Sequence, residues 1–125
     1  EVTILTPGQH SDHLLTRRAS RRLYGPLLKA GARIHEYDPT MIHAKVLVID
    51  GVWSVVGSTN FDNRSFGIND EINVAAFDAG LAARLQQDFQ RDLESSHRVT
   101  YRKWYRRPLV ERAWELVGWL LERQQ

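Results

Sequence analysis

An α/β fold, with a mixed central β-sheet flanked by helices as in an α+β sandwich, is what this 125-residue sequence predicts. Three observations carry that expectation. Two segments place apolar residues at every fourth position, the period of a helix buried along one stripe: Leu15, Ala19, Leu23 and Leu27, then Leu81, Leu85, Phe89 and Leu93. A short β-branched run from Met41 to Ile49 lies between them, bounded by turn residues as a buried strand is. Asp50-Gly51 comes directly after that run, and a second β-branched segment begins at Val52, the pattern of a hairpin.

The chain opens with a strand over Val2 to Leu5. The turn-rich stretch from Pro7 to Asp12 then supplies capping side chains for the first helix. Pro26 should kink or divide that helix, and Gly31 can close it. Arg33 to Tyr37 and Met41 to Ile49 are the next strands, and Val52 to Gly57 is the returning arm of the hairpin. A loop from Ser58 to Asn69 leads to a strand over Glu71 to Phe77, and Asp78 can cap the second long helix. The aromatic and basic stretch from Tyr101 to Arg107 introduces a final amphipathic helix starting at Pro108. One domain spanning 1–125 is the expected organisation, with roughly 98–125 forming this basic, aromatic and helical tail.

Apolar content of 42% and charged content of 26% belong to a compact globular chain. With no cysteine, disulfides, thiolate metal sites and thiol nucleophiles are excluded. A formal charge of +2 argues nothing general about polyanions, although Arg17, Arg18, Arg21 and Arg22 form one basic cluster. Arg98, Arg102, Lys103, Arg106 and Arg107 form a second. Each reads equally as a solvated helix face or as a phosphate contact. The first residue is Glu1 and no basic-then-apolar leader comes after it, so the sequence reads as mature or as a piece of something longer.

Chemistry concentrates in the run from His43-Ala44-Lys45 to Asp50. Strand alternation sends His43 and Lys45 out on the same face, where they can share one phosphate. An imidazole, with an ordinary pKa of about 6.5, can attack phosphorus or shuttle a proton. An ammonium beside it neutralises the non-bridging oxygens. Alone, such a pair also describes a strand end that happens to be polar. Gly57-Ser58-Thr59-Asn60 adds a glycine that permits close backbone approach and a hydroxyl and an amide that can bind an oxyanion.

Together these residues resemble the signature of the phospholipase D superfamily, H-x-K-x4-D, six residues, then G-S-x-N, with a glutamate downstream. His43, Lys45, Asp50, Gly57, Ser58, Asn60 and Glu71 fill its positions. At usages of roughly 2–8% per residue, chance agreement at seven positions is below roughly 10⁻⁸ per starting point. The resemblance implies that His43 is either the nucleophile that forms a phosphohistidine or the acid and base serving it. Glu71 would accept from its Nδ1, while Lys45 and Asn60, helped by Ser58, would hold the phosphoryl oxygens. Asp50 belongs to the signature, yet it lies seven residues along an extended strand from His43, which favours closing the turn over touching the reaction. Arg64, just past the signature, either contacts substrate phosphate or orders its loop. The resemblance implies no metal and no cofactor.

The superfamily pairs two such motifs, and this sequence holds one. The partner half is either N-terminal in a longer chain or supplied by a homodimer mate. Within the superfamily the order of elements and the basic aromatic tail look like the C-terminal half of bacterial cardiolipin synthases. That likeness implies phosphatidyl transfer between phosphatidylglycerol-like lipids at the cytoplasmic face of the bacterial inner membrane. Its partners would be an anionic phospholipid and a membrane surface. The apolar face Leu109, Val110, Ala113, Trp114, Val117 and Leu121 would lie in the interface or pack on the fold. A phospholipase D-type hydrolase, a homodimeric metal-independent endonuclease using the arginine clusters on nucleic acid, and an inactive lipid-binding half-domain are the alternatives. The remaining histidines read as structural: His10 and His13 flank Asp12 near a helix start, and His35 and His97 carry no supporting pattern.

Overall fold

A computed structural model describes residues 1–8, 14–60 and 63–108, and among these described residues the chain forms ten elements. In order they are β1 (Thr3–Pro7), α1 (Leu14–Lys29), β2 (Arg33–Tyr37), β3 (Lys45–Ile49), β4 (Trp53–Gly57), α2 (Asn63–Gly67), β5 (Asn73–Phe77), α3 (Ala79–Glu94), β6 (Ser96–Val99) and α4 (Tyr101–Tyr105). The α/β class expected from the sequence is present. Its strands are arranged as two three-stranded sheets, in the orders β1-β2-β6 and β3-β4-β5, where one central sheet was expected. Each sheet belongs to its own unit, one built from 1–42 and 95–125, the other from 43–94.

In the first unit β1 runs parallel to β2, as a strand-helix-strand connection through α1 requires, and β6 pairs antiparallel on the other side of β2. The register aligns Ile4 with Ile34 and Ile34 with Val99. Ile34, Val99 and Tyr24 are the buried core, with Ile4, Leu28 and Trp104 packed against it. Helix α1 runs through Pro26 without a break. Its core-facing residues are Tyr24 and Leu28, whereas Leu23 and Leu27, expected in the core stripe, are exposed. The helix has turned by one position because the Tyr24 ring seats on the sheet and its hydroxyl bonds Thr6 Oγ1 at 2.8 Å. The side chains of Leu15 and Ala19, and the residues His10, Asp12 and His13, lie outside the described set. Gly31, at φ 92°, closes the helix.

Beside this core sits a buried carboxylate. Glu36 is 1% exposed, with Arg21 Nε 3.2 Å from its Oε1 and His97 Nε2 3.5 Å from its Oε2. His97 Nδ1 reaches Asp38 at 2.5 Å. A buried carboxylate held this way joins α1, β2 and β6 at one point.

The second unit is an antiparallel meander whose register aligns Lys45 with Gly57 and Gly57 with Asn73 at one end, and Ile49 with Trp53 and Trp53 with Phe77 at the other. Asp50 and Gly51 make the expected hairpin turn, both with positive φ, 52° and 67°. The Asp78 carboxylate accepts from Leu81 N at 2.8 Å, capping α3 as expected. That helix packs on β3 and β4 with Ala82 fully buried. The expected strand over Met41 to Ile49 begins only at Lys45, and Val46, Leu47 and Ile49 are exposed where burial was expected. Three strands and one long helix cover too little surface to bury every apolar side chain of the run. The two short elements β6 and α4 stand where a continuous tail was read, and the expected helix from Pro108 onward falls outside the described residues.

Candidate active site

The start of β3 fixes the first pair. His43 lies two residues ahead of the strand and is exposed, while Lys45 opens it and is half-buried. Alternation along the extended chain brings their side chains together, and Lys45 Nζ lies 2.5 Å from His43 Nε2. A protonated lysine donates in this contact and Nε2 accepts, which leaves the ring proton on Nδ1.

The β3-β4 ladder sets Gly57 opposite Lys45, so Ser58 and Asn60 come immediately beyond the pair. Gly57 is required by close approach. A Cβ there would stand 2.7 Å from the Asn73 Cα and closer still to the Ile72 carbonyl. That approach lets Ser58 N donate to Ile72 O at 3.0 Å and Ser58 Oγ accept from Ile72 N at 3.0 Å. Thr59 Oγ1 accepts from Asn73 Nδ2 at 2.5 Å. The turn is thereby locked to the residues leading into β5.

Glu71 is drawn into the same cluster. Its Oε2 accepts from the Ser58 hydroxyl, and its Oε1 accepts from Asn69 Nδ2 at 3.3 Å. Hydrogen bonding from Ser58, then from Ser65, holds its carboxyl below the usual carboxylate range against an opposing desolvation, with Asn69 and the charge of Lys45 adding lesser contributions. The expected partner of Glu71 was His43 Nδ1. The structure gives the carboxylate to Ser58 and Asn69 instead, and the His43 ring to Lys45. The reason is register: Ser58 and Glu71 flank the β4-β5 pairing from opposite strands, while His43 precedes β3.

The structure thus brings together His43, Lys45, Ser58 and Glu71, with Asn60 exposed two residues on. Asp50 is not among them. It occupies the far end of the β3-β4 ladder, in the turn, beyond the Ile49–Trp53 pair. Arg64 belongs to α2, and its side chain lies outside the described residues. Sequence reasoning missed Ser65 and Asn69 as supports of Glu71. Ser65 sits beside Arg64 in a segment read as contacting substrate or ordering its loop, and its 6% exposure is invisible in the sequence. His35 and His97 are structural, the first bonding Ser96 Oγ at 3.1 Å and the second bridging Asp38 and Glu36. Among the described residues no group of three or more histidine, aspartate or glutamate side chains is placed to hold a metal ion.

The profile of the family described as "Cardiolipin synthase, PLD-like domain" matches residues 1–93. The major cardiolipin synthase ClsA of Bacillus subtilis is 40% identical over 121 residues, covering 97% of this chain and 25% of that protein. Cardiolipin synthase 2 of Staphylococcus epidermidis is 36% identical over the same length, with the same coverage. The chain therefore spans about a quarter of the length of the curated relatives it matches. Its fold is similar to the crystal structure of a phospholipase D family member, Nuc from Salmonella typhimurium, with a TM-score of 0.70 and 21% identity over 79% of this chain and 64% of that one. On the family match over residues 1–93, reinforced by relatives aligned along nearly its whole length, the chain belongs to the PLD-like domain family of cardiolipin synthase.

Proposed function

We propose that this chain is one phosphodiester-transferring half of a phosphatidyltransferase of the cardiolipin synthase type. The observation that carries the reading is the 2.5 Å contact between Lys45 and His43 beside the Ser58–Glu71 pair, in a chain whose relatives are named cardiolipin synthases. His43 Nε2 is the nucleophile in this reading. It attacks the phosphorus of a phosphatidylglycerol-like donor, a P–N bond forms as the P–O bond to glycerol breaks, and an acid from a second motif protonates the departing glycerol oxygen. The hydroxyl of another phosphatidylglycerol then gives its proton to the conjugate base of that acid and attacks phosphorus, a new P–O bond forms as the P–N bond breaks, and the imidazole is restored. If the partner motif provides the nucleophile, His43 takes the acid and base role in the same two displacements.

Lys45 and Asn60 bind the non-bridging oxygens, and Arg64 extends that grip. Glu71 acts through Ser58, holding the turn that presents Asn60. The second motif comes from a preceding half of a longer chain or from a homodimer mate. No described helix is long and apolar enough to cross a membrane, and the proposed placement is peripheral, at the cytoplasmic face of the bacterial inner membrane.

The test is a two-motif protein carrying this half, incubated with phosphatidylglycerol vesicles. Cardiolipin and free glycerol should appear in equal amounts, and a His43→Ala form should yield neither. Release of phosphatidic acid without cardiolipin would replace transfer by hydrolysis. Nicking of plasmid DNA by the wild type alone, with lipids untouched, would move the substrate to nucleic acid.

A further inference from the structure

The first unit carries a second concave feature that the phosphotransfer residues do not touch, a cleft of about 390 Å³ between the end of α1 and α4. Its volume falls in the ~300–1,000 Å³ range of small-molecule sites. Gly25 and Pro26 contribute from α1, together with Lys29 at its last turn. Tyr101, Trp104, Tyr105 and Arg107 contribute the other wall. Among the described residues, the lining holds two cations, three aromatic rings and no acid.

The rings are arranged by the fold. Trp104 donates through Nε1 to Arg21 O at 2.7 Å and lies directly over Gly25, where a Cβ would collide with its six-membered ring. Tyr101 stands 5.6 Å from Trp104 and stacks on Tyr105 with centroids 6.0 Å apart. Each cation lies against a ring face. Lys29 Nζ is 5.5 Å from the Tyr101 centroid, and Arg107 Cζ is 4.1 Å from that of Trp104. A cation seated on a ring keeps its full charge and is positioned at low entropic cost. An apolar wall with two positioned cations at its rim suits an anionic head joined to a hydrocarbon shoulder.

We infer that this cleft binds the phosphodiester headgroup of an anionic phospholipid, with Lys29 and Arg107 on the phosphate and Tyr101, Trp104 and Tyr105 against the glycerol and first acyl carbons. The inference shares with the proposed function only the expectation of a phospholipid surface, and it adds a lipid contact made without His43 or Lys45. Nucleic acid suits the site less well, because a run of nucleotides needs a basic track several phosphates long, and the described lining offers two cations, Lys29 and Arg107.

The test titrates the 125-residue chain with dihexanoyl phosphatidylglycerol below its micellar concentration, with inorganic phosphate, and with a single-stranded oligonucleotide. The lipid should bind. The Lys29→Gln/Arg107→Gln form should bind it about tenfold or more weakly with an unchanged circular dichroism spectrum. Tyr105→Ala, at a residue 61% exposed, should weaken it severalfold without disturbing the fold. Arg102→Gln/Lys103→Gln makes the same change of charge outside the lining and should leave affinity within about twofold. Equal weakening by the two charge variants would overturn the inference, as would inorganic phosphate competing as well as the lipid, or the oligonucleotide displacing it. His43→Ala should bind the lipid like wild type. Transfer activity lost with this binding retained separates failure at the phosphotransfer residues from failure of the cleft.

Discussion

Lys45 Nζ stands 2.5 Å from His43 Nε2, so the lysine ammonium occupies the nitrogen that the proposed chemistry needs, until a phosphate enters and takes the ammonium for itself. The resting ring should therefore hold its proton on Nδ1. Nitrogen chemical shifts should report that tautomer in the wild type and a mixture in Lys45→Met. In the two-motif protein Lys45→Met should lower turnover by roughly 10²–10³, the cost of removing one positioned charge from a developing oxyanion, and His43→Ala should lower it further. A Lys45→Met form with normal turnover would remove the ammonium from the reaction.

Ser58→Ala takes away the principal hydrogen bond that holds the Glu71 carboxyl low. Its titration should move up toward the ordinary value of 4.5, tracked by carboxyl carbon shifts. A depressed carboxyl contributes stability that is fully present above 4.5 and is lost as pH falls through its folded pKa. Acid unfolding of Ser58→Ala should accordingly begin at higher pH than that of wild type.

His35 makes stability depend on pH in the same direction, although here it is the neutral form that the fold favours. Burial, then the charges of Arg98, His97 and Arg33, hold its imidazole below the ordinary 6.5. Between its folded pKa and 6.5 the unfolded chain binds more protons, so stability falls as pH drops through that window. Urea midpoints at about pH 7.5 and about pH 5.5 should differ more for wild type than for His35→Gln.

Asp50 separates two readings of the signature. With φ 52° in the turn between β3 and β4, it occupies a conformation that glycine and asparagine adopt more readily. Asp50→Gly should keep the fold and should change turnover of the two-motif protein by no more than about twofold if the residue serves the turn alone. A large loss of turnover with unchanged stability would return Asp50 to the chemistry.

Gly57→Ala should cost about 1–3 kcal/mol, the usual penalty of overpacking, because even if the Asn73 side chain swings away its Cβ still meets the Ile72 carbonyl and the Asn73 backbone. Thermal unfolding measures the loss. The Ser58–Glu71 bond should weaken with it, visible as a rise in the Glu71 titration.

Much of this site is legible in the sequence because it is built from short-range relations. Two residues of strand spacing pair His43 with Lys45, and the short turn at Asp50-Gly51, with Val52 as the third connecting residue, sets the register that brings Gly57 opposite Lys45. Glu71 is legible as a position but not in its contacts, since its bonds to Ser58 and Asn69 depend on how β5 joins β4. The helices are legible as elements, yet the stripe of α1 is misread by one position: leucine at Leu23 and Leu27 outweighs Tyr24 in any apolar count, while the tyrosine ring fills the space over Ile34. Strand β6 has four residues with a single apolar one inside, Val99, too few to show a period. It is a strand because Glu36 and Ile34 on β2 require a neighbour.

The pairing of β2 with β6 encloses residues 43–94 as an insertion between two strands that meet only after the insertion is complete. During synthesis the inner meander, whose strands pair with their chain neighbours, can close as soon as Glu94 has left the ribosome. The outer unit must hold Ile34 and the Glu36 carboxylate without their β6 partners until Val99 emerges. The His43–Lys45 pair and its neighbours are therefore assembled before the scaffold that surrounds them in sequence, and pulse-labelled hydrogen exchange during refolding should find amides of β3 to β5 protected ahead of those in β6.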